Sequence, residues 1–186
     1  MKSNQLGRVA AALILALILA GCAKPAEVPT RERTPTSWDV ELAPPGEPGD
    51  RLIVTGAVYR RGHFGPLVGV TIYAYHQDSK GNYFLAGHES GGPRLSGILR
   101  TDSLGRYRLR TVLPGGGEGN PHIHFEVWGR GIERQSLVLN LPGRGSRTPV
   151  IPSPVIRWGP KPVNEVPLLT RDSSGVFHCA WDLQVK

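Results

Sequence analysis

From Arg51 onward the chain is written in short runs whose apolar positions recur at every second residue. "RLIVTGAVYR" (51–60), "VGVTIYAYHQ" (68–77), "GRYRLRTVL" (105–113), "HIHFEVW" (122–128), "SLVLNL" (136–141) and "GVFHCAWDLQV" (175–185) alternate or are rich in β-branched and aromatic residues. Gly, Pro, Asn and Asp separate them, and no stretch keeps a helical period. Strands of that length with turn signals between them predict an all-β sandwich. Within "HIHFEVW" the period of two sets Ile123, Phe125 and Val127 on a core face, and His122, His124, Glu126 and Trp128 on the other.

The pattern changes before and after this region. Lys2 and Arg8 precede an apolar run, Val9 to Ala20, which is too short to span a bilayer comfortably and ends in "LAGC". Residues 1–21 therefore read as a signal peptide. The cysteine at its end is similar to the lipobox of bacterial lipoproteins, which implies lipid attachment at Cys22, a membrane anchor and a place in the cell envelope. The absence of aspartate after Cys22 favours the outer membrane on its periplasmic side. Residues 22–50 hold six prolines and little apolar material, the texture of an extended tether, so the folded domain is expected over 51–186. A second proline-rich stretch, 141–168, is long enough to form a rim or lid.

Composition narrows the classes. A chain of 186 residues has room for one domain with a real core. Loss of Lys2 and Arg8 with the leader lowers the formal charge from +7 to +5, and arginines at alternating strand positions such as Arg106, Arg108 and Arg110 spread it over a solvated face. Neither a basic helix nor an aromatic-basic platform is present, so nucleic acid is not an expected partner. With Cys22 lipidated, Cys179 is alone and reads as a small strand residue. Oligomeric state is not legible.

His122 and His124 are the candidate chemistry. On one strand face their imidazoles stand roughly 6.5 to 7 Å apart, close enough to share a metal ion, and equally suited to a half-exposed strand face. Tyr73, Tyr75 and Tyr107 read as core residues. His63, His76 and His178 read as surface or strand-end residues, and Asp102 in "TDSLG" as a turn clamp.

The order of three segments carries more. "GAVYRRGHFGPLVGVTIYAYHQDSKGNY", "RTDSLGRYRLRTVLPG" and "PHIHF" resemble, in sequence, the opening hairpin, central run and closing strand of the intradiol ring-cleavage dioxygenases. The resemblance covers about residues 50 to 140. It implies that family's β-sandwich core, a ferric iron (Fe3+) cofactor, and an aromatic diol and O2 as substrates. It also implies iron ligation by His122, His124 and Tyr83, with Tyr83 a catalytic ligand. Ferric iron favours anionic oxygen and can hold a phenol ionised at neutral pH. The family's second tyrosine would fall at Gly117, and a basic residue of its pattern at Gly119. Glu118 is the candidate fourth ligand; Glu126, His88 and Glu89 are weaker ones. "VTGAVYRRGHFGPLVGVTIYAY" and "TDSLGRYRL" are also similar to carboxypeptidase-regulatory-like and transthyretin-like modules, which leaves a metal-binding or purely structural domain as the alternative to an enzyme.

Overall fold

The computed structural model describes residues 37–86, 92–116, 120–142 and 167–186. Its ten strands are β1 (Asp39–Glu41), β2 (Arg51–Arg60), β3 (Thr71–His76), β4 (Leu95–Arg100), β5 (Arg106–Val112), β6 (His122–Gly129), β7 (Ile132–Asn140), β8 (Leu169–Arg171), β9 (Phe177–Ala180) and β10 (Leu183–Val185). No helix occurs among the described residues. One sheet runs β1-β5-β2-β9-β8, with β10 also on β2; the other runs β4-β3-β6-β7.

The alternation sorts each strand. Ile72 and Ala74 of β3 and Ile123, Phe125 and Val127 of β6 are buried, facing Leu52, Val54 and Val58 of β2 and Leu109 of β5. Tyr107 meets the edge of Phe125 at 5.9 Å and donates its hydroxyl proton to the Trp181 carbonyl at 2.7 Å, so the one polar atom of this buried ring is satisfied. Cys179 lies buried on β9, as a small strand residue should.

Three turns share one device. Asp78-Ser-Lys-Gly, Asp102-Ser-Leu-Gly and Asp172-Ser-Ser-Gly each end on a glycine at positive φ, Gly81, Gly105 and Gly175. In each the aspartate Oδ1 accepts backbone N–H bonds from two and four residues on: Lys80 and Asn82, Leu104 and Arg106, Ser174 and Val176. Asp102 is thus the turn clamp its sequence indicated.

Four expectations change. The stretch read as tether up to Asp50 contains β1, which pairs in parallel with β5, and buries Leu42 and Ala43, so these residues belong to the sandwich. The run 175–185 is two strands, interrupted where Trp181 lies so close over Gly56 that a Cβ there would stand 1.7 Å from the Trp181 carbonyl oxygen. Tyr73 and Tyr75 are half-buried on the outer face of β3, not in the core, since their parity opposes that of Ile72 and Ala74. His76, expected at the surface or a strand end, does end β3 but has no exposure at all. Its Nε2 lies 2.7 Å from Thr111 Oγ1 on β5, and its Nδ1 lies 2.6 Å from the Gln77 carbonyl, which can only accept. Nδ1 therefore carries the proton, and the Thr111 hydroxyl donates to Nε2 across the two sheets.

Burial holds the His76 pKa down to about 4. The unfolded chain takes up this proton near pH 6.5 and the folded one only near 4, so stability is complete above pH 6.5 and falls as pH is lowered through that window. The expected loss is on the order of 3 kcal/mol by pH 4. Urea unfolding midpoints from pH 7 to 4 will show it, and Thr111→Val will cost about 1–3 kcal/mol at pH 7 by leaving Nε2 unsatisfied.

Candidate metal centre

The candidate site lies on the outer face of the four-stranded sheet, where β6 begins and β3 ends. Tyr75 pairs with His124 and Val138 pairs with it from the other side, while Asn140 pairs with His122. Parity turns both imidazoles away from the core. The His122 and His124 ring centroids stand 4.7 Å apart, edge to face.

Tyr83 reaches them from the loop after β3. Its Oη lies 3.1 Å from Nε2 of His122 and 3.1 Å from Nε2 of His124. The residues singled out as one ligand set from the sequence are thus brought together. The His122 Nδ1 stands 2.7 Å from the Asn120 carbonyl and donates to it, which leaves the Nε2 lone pair facing Tyr83. A phenol has one proton and cannot donate to two nitrogens. Three donor atoms converging this way could hold a metal ion, each offering a lone pair.

Burial disfavours charge on the bare donors. Burial, with a contribution from Tyr75, raises the Tyr83 pKa; burial, then His122, lowers that of His124. The bare pocket therefore keeps the phenol protonated and His124 neutral. A bound cation would favour the phenolate and use the neutral imidazole lone pair. No trio of His, Cys, Asp and Glu suited to a metal occurs among the described residues; here the third donor is a tyrosine.

What holds Tyr83 in place was not apparent from sequence. Asp78 anchors the turn, and the Tyr83 carbonyl accepts a hydrogen bond from Arg94 N at 2.8 Å. The Arg94 guanidinium grips Glu47 through 2.5 and 2.7 Å contacts and reaches Asp78 at 3.3 Å. Hydrogen bonding to Arg94 holds the Glu47 carboxyl below its usual pKa despite burial. Gly115 packs flat on this turn: its N–H donates to the Asp78 carbonyl, and a Cβ would stand 2.5 Å from Ser79 O and Gly81 N. Tyr75 stacks on His124 at 4.7 Å and 12°, with Tyr73 a further 5.3 Å along. Strand parity placed Tyr75 on one of two faces; no sequence signal marked Arg94 or Asn120.

Glu126 is paired with Arg134 at 2.8 Å, one row from His124. His63 and His178 are away from the site, His178 held by Asp172 at 2.7 Å. Glu118, Gly117, Gly119, His88, Glu89 and Cys22 lie outside the described residues, as do residues 1–36 and 143–166 of the leader, tether and proline-rich loop.

An all-β sandwich with a His-x-His strand and a tyrosine loop at one end defines a class, and comparison with known proteins agrees with it. A profile of the family described as "Dioxygenase" matches residues 30–157, and the chain belongs to the intradiol dioxygenase family. Catechol 1,2-dioxygenase 2 of Acinetobacter lwoffii is 27% identical over 117 residues, covering 52% of this chain and 42% of that protein. The chain thus spans less than half the length of this curated relative. The dioxygenase domain of a dioxygenase–carbohydrate-binding fusion from Streptomyces sp. SirexAA-E superposes with a TM-score of 0.58 at 24% identity, over 82% of this chain and 88% of that one. For 3-chlorocatechol 1,2-dioxygenase of Rhodococcus opacus 1CP the TM-score is 0.57 at 21% identity, over 77% and 62%. At these identities the structural likeness shows the fold.

The packing of Gly115 yields a test. Gly115→Ala must push the 78–82 turn aside and move Tyr83, costing about 1–3 kcal/mol in urea unfolding. Any metal held by Tyr83, His122 and His124 would be bound more weakly in parallel.

Proposed function

We propose that this chain holds ferric iron between Tyr83, His122 and His124 and opens catechol-type aromatic diols with O2 by intradiol cleavage. The observation that carries the reading is Tyr83 Oη standing 3.1 Å from both histidine Nε2 atoms. The donor set fits: two neutral imidazoles and one ionisable phenol suit a hard trivalent cation. When bound, iron supplies the positive charge that holds the diol as its catecholate and readies the ring for O2. His122, oriented by the Asn120 carbonyl, and His124, backed by the Tyr75 ring, hold their lone pairs fixed. Tyr83 contributes a negative charge at Oη. The exposed Val138 beside His124 offers an apolar contact for the substrate ring.

Gly117 in place of the second tyrosine favours a second reading, a domain that binds metal without turnover. In the enzyme reading Glu118 is the candidate fourth ligand and acceptor of a diol proton. Metal analysis and a visible spectrum of purified protein test both. One iron per chain is expected, with a tyrosinate-to-iron band that Tyr83→Phe abolishes. Protein that stays colourless and iron-free after reconstitution would sink the proposal; iron and colour without O2 uptake on catechol would leave only the second reading.

We also propose that Cys22 carries a lipid that fixes the protein to the cell envelope, with the outer membrane favoured. Among the described residues no helix is long and apolar enough to cross a membrane. Metabolic labelling with a tagged fatty acid should mark the wild-type chain and leave Cys22→Ser unlabelled; a wild-type chain that takes up no label would refute the anchor.

A further inference from the structure

The far end of the sandwich from Tyr83 carries three of its most exposed apolar side chains. Phe64 is 86% exposed, Val68 61% and Leu104 57%. They belong to two neighbouring turns. The segment between β2 and β3 is tied down by Leu67 N–H to the Val58 carbonyl and by Thr101 Oγ1 to the Leu67 carbonyl. The Asp102 turn abuts it so closely that a Cβ on Gly105 would stand 2.6 Å from Pro66 Cβ. The tips are thus held out by a rigid base.

Arginines lie at the same end. Arg61, Arg100 and Arg130 are exposed, and none forms an ion pair among the described residues. Arg100 Nε donates to the Gly69 carbonyl at 2.9 Å, and the Arg130–Gly131 turn is drawn in by Arg60, which donates to Gly131 O at 2.9 Å. Of the acids at this end, Asp102 is occupied by its own turn and by Arg106 at 2.8 Å, Asp182 accepts from Ala57 N–H at 2.9 Å, and exposed Glu133 flanks the Arg130 turn. The described chain also begins at this end: Arg100 N–H bonds the Ser37 carbonyl at 2.9 Å, and Arg108 N–H the Trp38 carbonyl at 2.8 Å.

We infer that this end of the sandwich, with Phe64, Val68 and Leu104 among Arg61, Arg100 and Arg130, is a docking face for an anionic phospholipid surface. Separate apolar tips with arginines at the same end suit shallow insertion between headgroups, with guanidinium groups on the phosphates. The described chain begins beside this face, so a lipid at Cys22 would be tethered to this end. Tyr83, His122 and His124 then open away from the bilayer. The orientation draws on the proposed anchor at Cys22; the docking face itself rests on neither the anchor nor iron.

A chain starting at Ala23 tests it, because every described strand and core residue lies beyond Ser37. This protein, without leader or Cys22, should sediment with phosphatidylglycerol vesicles, release with salt, and ignore phosphatidylcholine vesicles. Phe64→Ser combined with Leu104→Ser should lower binding about fivefold or more. Leu85→Ser, an equally exposed leucine (56%) in the loop after Tyr83, should leave it unchanged. Iron-free protein should bind as well as iron-loaded, so failure here is distinct from failure of the metal reading. No binding to phosphatidylglycerol, equal binding to both lipids, or equal loss in Leu85→Ser would overturn the inference. So would a dimer broken by Phe64→Ser in a protein that ignores vesicles, since the face would then join two copies of the chain.

Discussion

The pairing of β3 with β6 is the constraint on which the candidate site depends. With Tyr75 opposite His124 and Ala74 opposite Phe125, the β6 residues Ile123, Phe125 and Val127 fill the sandwich while His122 and His124 face out. A slip of one residue would bury both imidazoles and expose Phe125, so the hydrophobic core itself enforces the donor geometry. The same register sets the Tyr75 ring flat against His124. Stability and candidate chemistry therefore share one set of backbone hydrogen bonds.

Tyr83 has no such ladder to hold it, and its place is fixed by charge and close packing instead. Glu47, on the segment before β2, and Asp78, at the start of the turn, both bind Arg94 just before β4. Such a triad is expensive to desolvate and adds little net stability compared with an apolar cluster. What it does add is position, because Arg94 N–H also bonds the Tyr83 carbonyl. Gly115 closes the arrangement from the other side. The phenol oxygen is thereby held opposite the two histidines by groups drawn from four separate stretches of the chain.

Much of this was legible in the sequence, for a physical reason. A β-sandwich writes its buried face into every second residue, and β2, β3, β5 and β6 appear close to where the alternation put them. β1 was hidden among prolines and β8 was too short to show a period. β4 was obscured by Gly97, which leaves room for the Leu42 side chain, whose Cδ2 a Cβ there would meet at 2.6 Å. The ligand trio Tyr83, His122 and His124 came from motif order rather than from periodicity. Tyr73, Tyr75 and His76 were misplaced because aromatic content alone does not give parity: the tyrosines face out, and the histidine between core residues faces in. The Arg94 network joins residues far apart in sequence, and no local pattern could announce it.

The glycine-rich loop joins the two halves of the problem. Gly115 is a glycine by necessity, since any side chain would collide with the turn that carries Tyr83. Gly117 answers to a different demand, because the resemblance to the intradiol family expects an anionic ligand there. In the proposed reading, a site with one phenolate retains more of the iron's positive charge than a site with two. A doubly ionised diol would then be attracted more strongly and would displace solvent or the Glu118 carboxylate rather than a tyrosinate. The lost tyrosine is also a lost proton acceptor, so the same glycine that favours diol binding leaves the diol's ionisation to Glu118. Whichever of these two effects is larger decides whether the site turns over or only binds, and both originate in the residue that follows Gly116.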